Sequence, residues 1–412
     1  MEFFEKTLDN GLEIVAEYNP QAYSAAMAFF VKTGSRDETD ANWGVSHFLE
    51  HMVFKGTSRR SAADVNRELD EIGSNANAFT SEEQTVYYAT VLPEYQRQAL
   101  DILADILRPS LREDDFNTEK KVILEEIAKY EDQPPFGAHE KTMAQHFGSH
   151  ALGRSVLGTV KSVSELTPEQ MKSYFERRYS PSNITLVAAG KVDFDDLVSQ
   201  AEEMCGNWAT FDAPRQTPRA EAHSSFDVIG KPNAHQQYII QVTNGPAARD
   251  ADRFAGRILS TVIGDDSGSR MYWDLVDTGL TEYAAIGSYE YQGTGIFMTF
   301  LCCDPDSAQE NIQRLHDILV DAEKGEIEQK EVELAQNKIC SAIVLQSERP
   351  GNRLMSVGSN WMQRREYRTV REILDSYRSI TCDDVNAILK KYPLSGGTTV
   401  AVGPVSDLQP PK

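Results

Sequence analysis

The stretch that decides the fold lies near the start of the chain and reads Gly44-Val-Ser-His-Phe-Leu-Glu-His-Met-Val-Phe-Lys-Gly-Thr57. Its pattern predicts a helix over roughly Trp43–Phe54. Residues four apart on a helix lie on one face, so His47 and His51 can reach a single metal ion. Glu50 is adjacent to His51, and its carboxylate can approach a water molecule bound to that ion. The stretch therefore predicts a metal-dependent hydrolytic site.

A third metal ligand is expected elsewhere, because a catalytic zinc site usually takes three protein ligands and leaves one position for water. Glu119 and Glu126 lie two turns apart on one face of a helix predicted over Asp114–Glu131. Glu125 points away from that face and is expected to be solvated. Spacing alone also fits two other interpretations. The helix with Glu119 and Glu126 could be a charged surface helix, and the histidine pair on the first helix could have no metal role. The order His-x-x-Glu-His inverts the motif of common zinc proteases, as in inverzincins.

Composition excludes several classes of protein. The chain has 412 residues, 40% of them hydrophobic, with a net charge of −22 and a pI near 4.8. Such a surface repels nucleic-acid phosphates and attracts basic ligands. The five cysteines form no CxxC pair, and we expect buried, inert thiols. No signal peptide is visible, and no apolar run approaches the ~20 residues that span a bilayer, so a cytoplasmic protein without membrane insertion is expected.

Two homologous domains are expected, since a chain of this length exceeds one ordinary core. Residues 213–222 hold two prolines and no large apolar residue, as inter-domain linkers do. They separate a zinc-bearing domain over residues 1–212 from a second domain over residues 223–412. The order of predicted elements recurs in the second domain, which lacks the metal-type residues. The predicted fold class is α+β, with an antiparallel-rich sheet covered by helices in each domain.

The other elements follow from hydrophobic periodicity and turn signals. The tripeptide Asp9-Asn10-Gly11 predicts a hairpin between short strands at Lys6–Leu8 and Leu12–Glu17. Further strands are predicted at Ser24–Thr33, Ile184–Ala189, Gln236–Thr243 and Ile296–Cys302, and further helices at Ala62–Ile72, Glu94–Leu107, Asp252–Ile263, Ala308–Glu323 and Ile327–Leu345. Three histidines could align on one helix face, but packing or surface roles are expected for His139, His146 and His150.

These motifs closely resemble the pitrilysin, or insulinase, family of zinc peptidases. The resemblance rests on residues 34–38 (GSRDE), on residues 44–57, and on the E-x-x-V-I-x-x-E context that ends at Glu126. Further similarity lies in Asn77-Ala-Phe-Thr80, Leu152-Gly-Arg-Ser-Val-Leu-Gly158 and Tyr179-Ser-Pro-Ser-Asn183. The similarity is strong over roughly residues 1–210 and weaker afterwards. The length suits a short two-domain member, similar to mitochondrial processing peptidase subunits and their bacterial relatives.

The resemblance implies a site and a mechanism. It makes His47, His51 and Glu126 the ligands of one Zn²⁺ per chain. Glu50 becomes the general base, and Glu119 a supporting residue that orients a histidine ligand. The implied reaction is hydrolysis of peptides or unfolded segments by a water molecule on the zinc ion.

The resemblance also implies residues that hold the substrate. The family's edge strand, to which an extended peptide adds as another strand, is matched by Asn77, Ala78 and Phe79. The second half of the family usually supplies an arginine and a tyrosine seven residues apart. Tyr283 matches the tyrosine, but Val276 stands where the arginine is expected. Arg270 is nearby in sequence and is a candidate substitute.

Partners follow from the same resemblance, since the family encloses its substrate between four such domains. A homodimer, or a heterodimer with a related subunit, acting on peptide substrates is therefore implied, with no nucleic-acid partner. Two rival interpretations stay open. One is a non-catalytic or weakly active peptide-binding or assembly subunit of a heteromeric peptidase, which the intact ligand set disfavours. The other is a different zinc hydrolase acting on small molecules, which the chain length and the edge-strand segment disfavour.

Overall fold

The computed structural model describes residues 1–412, apart from the side chains of Pro134 and Phe136. The chain forms two compact units. The first unit comprises residues 1–128, 154–216 and 344–369, and the second comprises residues 129–153, 217–343 and 370–412. Each unit contains one sheet with helices packed against it, which confirms the predicted α+β fold class.

The strands are β1 (Glu2–Thr7), β2 (Glu13–Tyr18), β3 (Ala25–Val31), β4 (Asn75–Thr80), β5 (Thr85–Val91), β6 (Ile184–Gly190), β7 (Phe226–Gly230), β8 (Gln237–Gly245), β9 (Tyr283–Glu290), β10 (Gly295–Cys303) and β11 (Thr398–Gly403). The helices are α1 (Val45–Val53), α2 (Ala62–Glu71), α3 (Gln96–Ile106), α4 (Glu113–Asp132), α5 (Pro134–Phe147), α6 (Val160–Glu165), α7 (Pro168–Arg178), α8 (Phe194–Cys205), α9 (Arg253–Gly264), α10 (Ala308–Gly325), α11 (Gln329–Ser347), α12 (Pro350–Arg364), α13 (Val370–Arg378) and α14 (Cys382–Lys391). The predicted hairpin and the predicted helices over these segments are present, with small shifts at their ends.

The sheet of the first unit has the strand order β1-β2-β6-β3-β5-β4. Its pairs are antiparallel except for β2 and β6, which run parallel. The central strands β3 and β6 are buried along their whole length, because side chains alternate across a strand and both faces of this sheet are covered. The strand β4 forms one edge of the sheet, so one side of its backbone is not paired with another strand of the sheet.

The two faces of this sheet carry separate hydrophobic cores. On the inner face, Phe29 packs in one cluster with Phe48 and Leu49 of α1 and with residues of α3. On the outer face, the neighbouring Phe30 packs with Leu354 and other residues of α12. The alternation along β3 thus places the helix that carries the metal-type residues on one face and α12 on the other.

The helix α12 comes from far along the sequence and is anchored by buried polar contacts. Arg353 pairs in a bidentate manner with the buried carboxylate of Glu17 on β2, and the Tyr367 hydroxyl donates to the same carboxylate at 2.8 Å. Gly358 packs against the ring of Phe30 so closely that an added Cβ would overlap it. These contacts fix where α12 crosses the sheet.

The second unit repeats this arrangement. Its sheet has the order β7-β11-β8-β10-β9, again with a single parallel pair, β7 and β11. The helix α5 contacts β8 and β11 and shares a core with Ile240, Val242 and Val400, as α12 does in the first unit. The matching strand orders agree with two homologous domains.

The segment predicted as a linker has no helix or strand, and residues 208–225 are all irregular. Arg215 within it is buried in the first unit, where its guanidinium pairs with Asp37 and donates to the Glu83 carbonyl at 2.6 Å. The compact units are defined by packing, and they differ from the predicted domains. The first unit includes α12 from the second half of the sequence, and the second unit includes α5 from the first half. The homologous domains over residues 1–212 and 223–412, with their linker, remain our proposal for how the sequence is organised.

Other expectations concern cysteines, histidines and membranes. All five cysteines are free thiols, and only Cys382 is not buried. His146 is buried in the second unit, and the His150 ring lies 3.2 Å from the Pro218 carbonyl. Among the described residues, no helix is both long and apolar enough to cross a membrane.

Candidate metal centre

The helix α1 begins at a glycine that the local geometry requires. Gly44, the N-cap, has φ of 92°, and a Cβ there would also approach the Leu157 carbonyl at 2.8 Å. The carboxylate of Glu38 accepts hydrogen bonds from the backbone N–H groups of Gly44 and Ser46, each at 2.7 Å. A buried carboxylate at this end satisfies two free donors of the first turn and complements the helix dipole.

A second contact sets the rotation of α1 about its axis. The Ser46 hydroxyl lies 2.7 Å from the Tyr174 hydroxyl, which lies 2.7 Å from that of Thr33. All three groups are buried. With Ser46 held on one side, His47 and Glu50 have a fixed direction, because each further residue turns by about 100° around the helix.

Three candidate ligand groups converge beside α1. The ligand atoms of His47, His51 and Glu126 all lie within 4.8 Å of one another. Glu126 Oε2 is 3.9 Å from His47 Nε2 and 3.6 Å from His51 Nε2. Two ligand atoms at 2.0–2.1 Å from one ion, separated by the tetrahedral angle, lie about 3.4 Å apart. The arrangement therefore fits a small tetrahedral ion such as Zn²⁺.

The accessibility of this cluster suits a site that admits a substrate. The side chain of His47 is 11% exposed, whereas those of His51 and Glu126 are 25% and 26% exposed. Burial, with a further contribution from His51, lowers the pKa of His47 to about 3. The His47 imidazole is therefore neutral at physiological pH, which is the form that binds a metal.

Glu119 lies behind His51 on the side away from Glu126. Its Oε1 is 2.8 Å from His51 Nδ1, and its Oε2 is 2.6 Å from Lys55 Nζ. Burial alone would raise the pKa of Glu119, but the hydrogen bonds from Lys55 and His51 hold that pKa below its usual range. An ionised Glu119 accepts the Nδ1 proton of His51 and directs the Nε2 lone pair toward Glu126.

Glu50 occupies a less polar environment than Glu119. Burial raises the pKa of Glu50, and a hydrogen bond from the Thr80 hydroxyl at 2.6 Å opposes that rise. A base works best when its pKa lies near the operating pH, so a raised value suits Glu50 to proton transfer.

The predicted substrate-binding residues of the first half lie on the edge strand β4. Asn77 and Phe79 are exposed, whereas Ala78 packs against the inner core. The register pairs Ala78 with Tyr87 of β5 and leaves the other side of β4 at the sheet edge. In the described part of the chain, no other strand of the sheet pairs with this side of β4, where the Ala78 N–H donates to the Asn77 side chain at 2.8 Å. The strand ends at Thr80, the residue that contacts Glu50.

The predicted substrate-binding residues of the second half lie in the second unit. Tyr283 begins β9 and is 46% exposed, so its ring is accessible. Arg270 makes a bidentate ion pair with Glu331, with both contacts at 2.8 Å, and donates to the Glu326 carbonyl at 3.1 Å. This guanidinium is already bound within its own unit. Val276 ends a π-helical turn, Tyr272–Val276.

Sequence reasoning missed several residues that shape the centre. Glu38 stands inside the quoted GSRDE segment, yet nothing in the pattern assigned it to the cap of α1. The contacts of Thr80 with Glu50, of Lys55 with Glu119 and of Tyr174 with Ser46 were also missed. None of these pairs has a spacing that signals contact.

Comparison with known proteins identifies the family. Residues 13–160 match the insulinase (peptidase family M16) model, and residues 165–339 match the model of the peptidase M16 inactive domain. An uncharacterized zinc protease of Streptomyces coelicolor is 33% identical over 98% of this chain and 90% of its own length. An uncharacterized zinc protease of Rickettsia felis is 31% identical over 96% of both chains.

Solved structures share the fold. A protease from Helicobacter pylori superposes with a TM-score of 0.90 at 20% identity, over 98% of this chain and 99% of the other. A crystal structure from Pseudomonas fluorescens, described as a peptidase M16 inactive domain, also gives 0.90 at 17% identity, over the full length of both chains. The predicted resemblance is confirmed: the chain belongs to the insulinase family of zinc proteases, peptidase family M16.

Proposed function

We propose that this chain is a zinc metalloendopeptidase that hydrolyses peptides or unfolded segments. His47, His51 and Glu126 would hold one Zn²⁺ per chain, and Glu50 would be the general base. The observation that carries the proposal is the convergence of two imidazoles and one carboxylate at distances that suit a tetrahedral ion. Membership of a family of zinc proteases supports the same assignment.

The chemistry divides between the ion and the chain. A zinc ion held there would polarise the scissile carbonyl and acidify a water molecule. Glu50, one residue before His51 on α1, would accept the proton of the attacking water and return it to the leaving amine. Glu119 would keep His51 in the tautomer and orientation that the ion needs.

Substrate binding would use the exposed edge of β4. An extended peptide can pair with the open side of β4 within Asn77–Phe79 as an added strand, where it would replace the Asn77 side chain as the acceptor of the Ala78 N–H. Main-chain pairing makes little demand on sequence and requires a locally unfolded substrate. The net charge of −22 would favour basic peptides, and salt would weaken this preference.

A quenched fluorescent peptide tests the proposed activity. We expect cleavage by the zinc-loaded protein, loss of cleavage with a chelator, and recovery when zinc is restored. Glu50→Gln should keep zinc but reduce kcat by at least about 10²-fold, since general base catalysis contributes 10²–10⁴-fold. Normal turnover by Glu50→Gln, or turnover that survives removal of the metal, would overturn the proposal.

A second candidate function is a weakly active or non-catalytic assembly subunit. It is favoured by Val276 at the position of the expected arginine and by the pairing of Arg270 with Glu331. Such a subunit would bind zinc and peptide but would cleave the peptide only slowly or not at all, even with added metal. The same peptide assay therefore separates the two functions.

We also propose that the working enzyme is a homodimer, or a heterodimer with a related subunit. Family resemblance supports four domains around a substrate, and this chain supplies two. Sedimentation of the active protein should give about twice the chain mass of 46.1 kDa. A monomer with full activity would contradict this oligomeric state.

A further inference from the structure

The last residue of the edge strand contacts the candidate base directly. Alternation along β4 places Ala76, Ala78 and Thr80 on the face toward the inner core and α1. The Thr80 Oγ1 atom is 2.6 Å from Glu50 Oε2. In the described part of the chain, this is the one hydrogen bond that the Glu50 carboxylate accepts.

The Thr80 hydroxyl proton has two acceptors within reach, and the Glu50 carboxylate is the nearer one. Thr85, the register partner of Thr80 on β5, donates its own proton to the Thr33 carbonyl at 3.0 Å. The distance between the hydroxyls of Thr80 and Thr85 is 3.4 Å, at the long end for an O–H···O bond. A threonine hydroxyl has one proton to donate, and the short hydrogen bond to the carboxylate is stronger than a long one to a hydroxyl.

The backbone of α1 is fixed by other contacts, so Thr80 acts on the Glu50 side chain alone. Glu38 holds the first turn, and the Ser46–Tyr174 contact sets the rotation of the helix. A glutamate side chain on a fixed backbone still has three rotatable bonds. The hydrogen bond from Thr80 selects among those rotamers.

The position of Thr80 connects this selection to substrate binding. The strand β4 is paired on one side only, with β5. A peptide that pairs with its open side would restrain β4 and with it the Thr80 hydroxyl. Peptide binding along β4, at a distance from the reacting bond, would thus affect the orientation of the Glu50 carboxylate.

We propose that Thr80 is a positioning residue that couples the docking of a peptide along β4 to the orientation of Glu50. This inference rests on the proposed function, because it assigns Thr80 a role in that same reaction. It requires that loss of the hydroxyl lowers kcat while metal binding and peptide binding stay intact.

The matched variants are Thr80→Val, which keeps the shape but removes the donor, and Thr80→Ser, which keeps the donor. We expect Thr80→Val to lower kcat by about 10-fold or more, a fraction of the contribution of the base itself. KM, zinc content and the midpoint of thermal unfolding should stay close to wild type. Thr80→Ser should recover kcat to within about 3-fold. A Thr80→Val protein with unchanged kcat, or a Thr80→Ser protein as slow as Thr80→Val, overturns the role.

Substrate length tests the coupling. In the wild type, a peptide extended along β4 should have a higher kcat than a short one, because remote binding energy is used to orient reacting groups. In Thr80→Val, lengthening the peptide in the same way should change KM and leave kcat unchanged. An equal gain in kcat with length in both proteins contradicts the coupling.

A structural readout is independent of turnover. In crystals of the metal-free protein, the Glu50 carboxylate should leave its present place in Thr80→Val and keep it in Thr80→Ser. An unmoved carboxylate in Thr80→Val contradicts the inference. Failure of the proposed function would look different, since it would show as wild-type protein without chelator-sensitive cleavage.

Discussion

At the residue scale, His51 is held through one ring nitrogen, Nδ1. Nδ1 lies 2.8 Å from Glu119, so the neutral ring carries its proton there and presents the Nε2 lone pair toward Glu126. Lys55 fixes the other oxygen of Glu119 at 2.6 Å. The contacts from Lys55 to Glu119 and from Glu119 to His51 thus orient a candidate metal ligand before any ion binds, which reduces the reorganisation that metal binding would require.

The first prediction concerns Glu119. Glu119→Gln removes the negative charge that orients His51, and loss of such a supporting group typically weakens metal binding by about 10–100-fold. We expect a loss of this size in zinc affinity, measured by competition with a chromophoric chelator. Glu125→Gln is the control, because Glu125 lies on the same helix and is exposed. Equal zinc affinity in Glu119→Gln and the control would contradict the role.

The sequence predicted the candidate ligand residues but not the residues that contact and orient the site, for a physical reason. His47 and His51 are close because a helix brings residues four apart together, and this follows from the sequence. Thr80 and Glu50 are 30 residues apart, and Ser46 and Tyr174 are 128 apart. Their contacts depend on how strands and helices pack, which local periodicity does not determine. Family resemblance, rather than spacing, selected Glu126.

At the element scale, α5 packs on the sheet of the second unit and brings an uncharged histidine into the core. His146 is fully buried, and the Asn244 side chain faces it without closing a hydrogen bond of normal geometry. Burial lowers the pKa of His146 to about 4, and the nearby His223 adds to this effect. The folded state therefore keeps this ring neutral at pH values where an unfolded chain would protonate it.

The second prediction follows from that pKa. The unfolded chain binds a proton near pH 6.5, and the folded unit binds it only near pH 4, so stability is full above about pH 6.5 and falls toward pH 4. The loss from this group amounts to about 3 kcal/mol. Urea unfolding at several pH values should show a smaller acid loss in His146→Gln than in the wild type. His235→Gln, at an exposed position, should behave as the wild type. Equal acid loss in His146→Gln would contradict the assignment.

The sequence also predicted many of the elements but not which sheet each helix covers, and α12 was not among the predicted helices. The apolar stripe of α12 indicates that one face is buried, and the outer face of either sheet could accept such a stripe. Two specific contacts place α12 on the sheet of the first unit. Arg353 forms an ion pair with Glu17, and the absence of a side chain at Gly358 leaves room for the Phe30 ring. The residues of each pair are more than 300 positions apart, so the hydrophobic periodicity around either residue does not reveal the contact.

At the scale of the whole molecule, no contiguous piece of the chain forms either compact unit. The first unit needs residues 344–369, and the second needs residues 129–153. Without α12, the outer sheet face with Val15, Phe30 and Val187 would be open to water. Exposed apolar faces of this kind lead to aggregation. The unit that contains the candidate metal centre therefore depends on sequence that belongs to the other predicted domain.

The third prediction tests that dependence through one ion pair. Arg353→Met leaves the Glu17 carboxylate buried without its cation, which typically costs about 3–5 kcal/mol of stability. Adding Glu17→Gln removes the buried charge and should recover most of the loss, because Gln still accepts from Tyr367. Chemical unfolding followed by tryptophan fluorescence measures both variants. Equal stability of the wild type and Arg353→Met would contradict the anchoring role of this pair.

A crystal structure of the zinc-loaded protein, with anomalous scattering measured at the zinc edge, shows directly whether His47, His51 and Glu126 hold one ion. We expect one strong anomalous peak per chain, with His47 Nε2, His51 Nε2 and a Glu126 oxygen each about 2.0–2.2 Å from it. A zinc peak elsewhere, or a zinc ion bound to the histidines with Glu126 turned away, would show that these three residues do not form the zinc site.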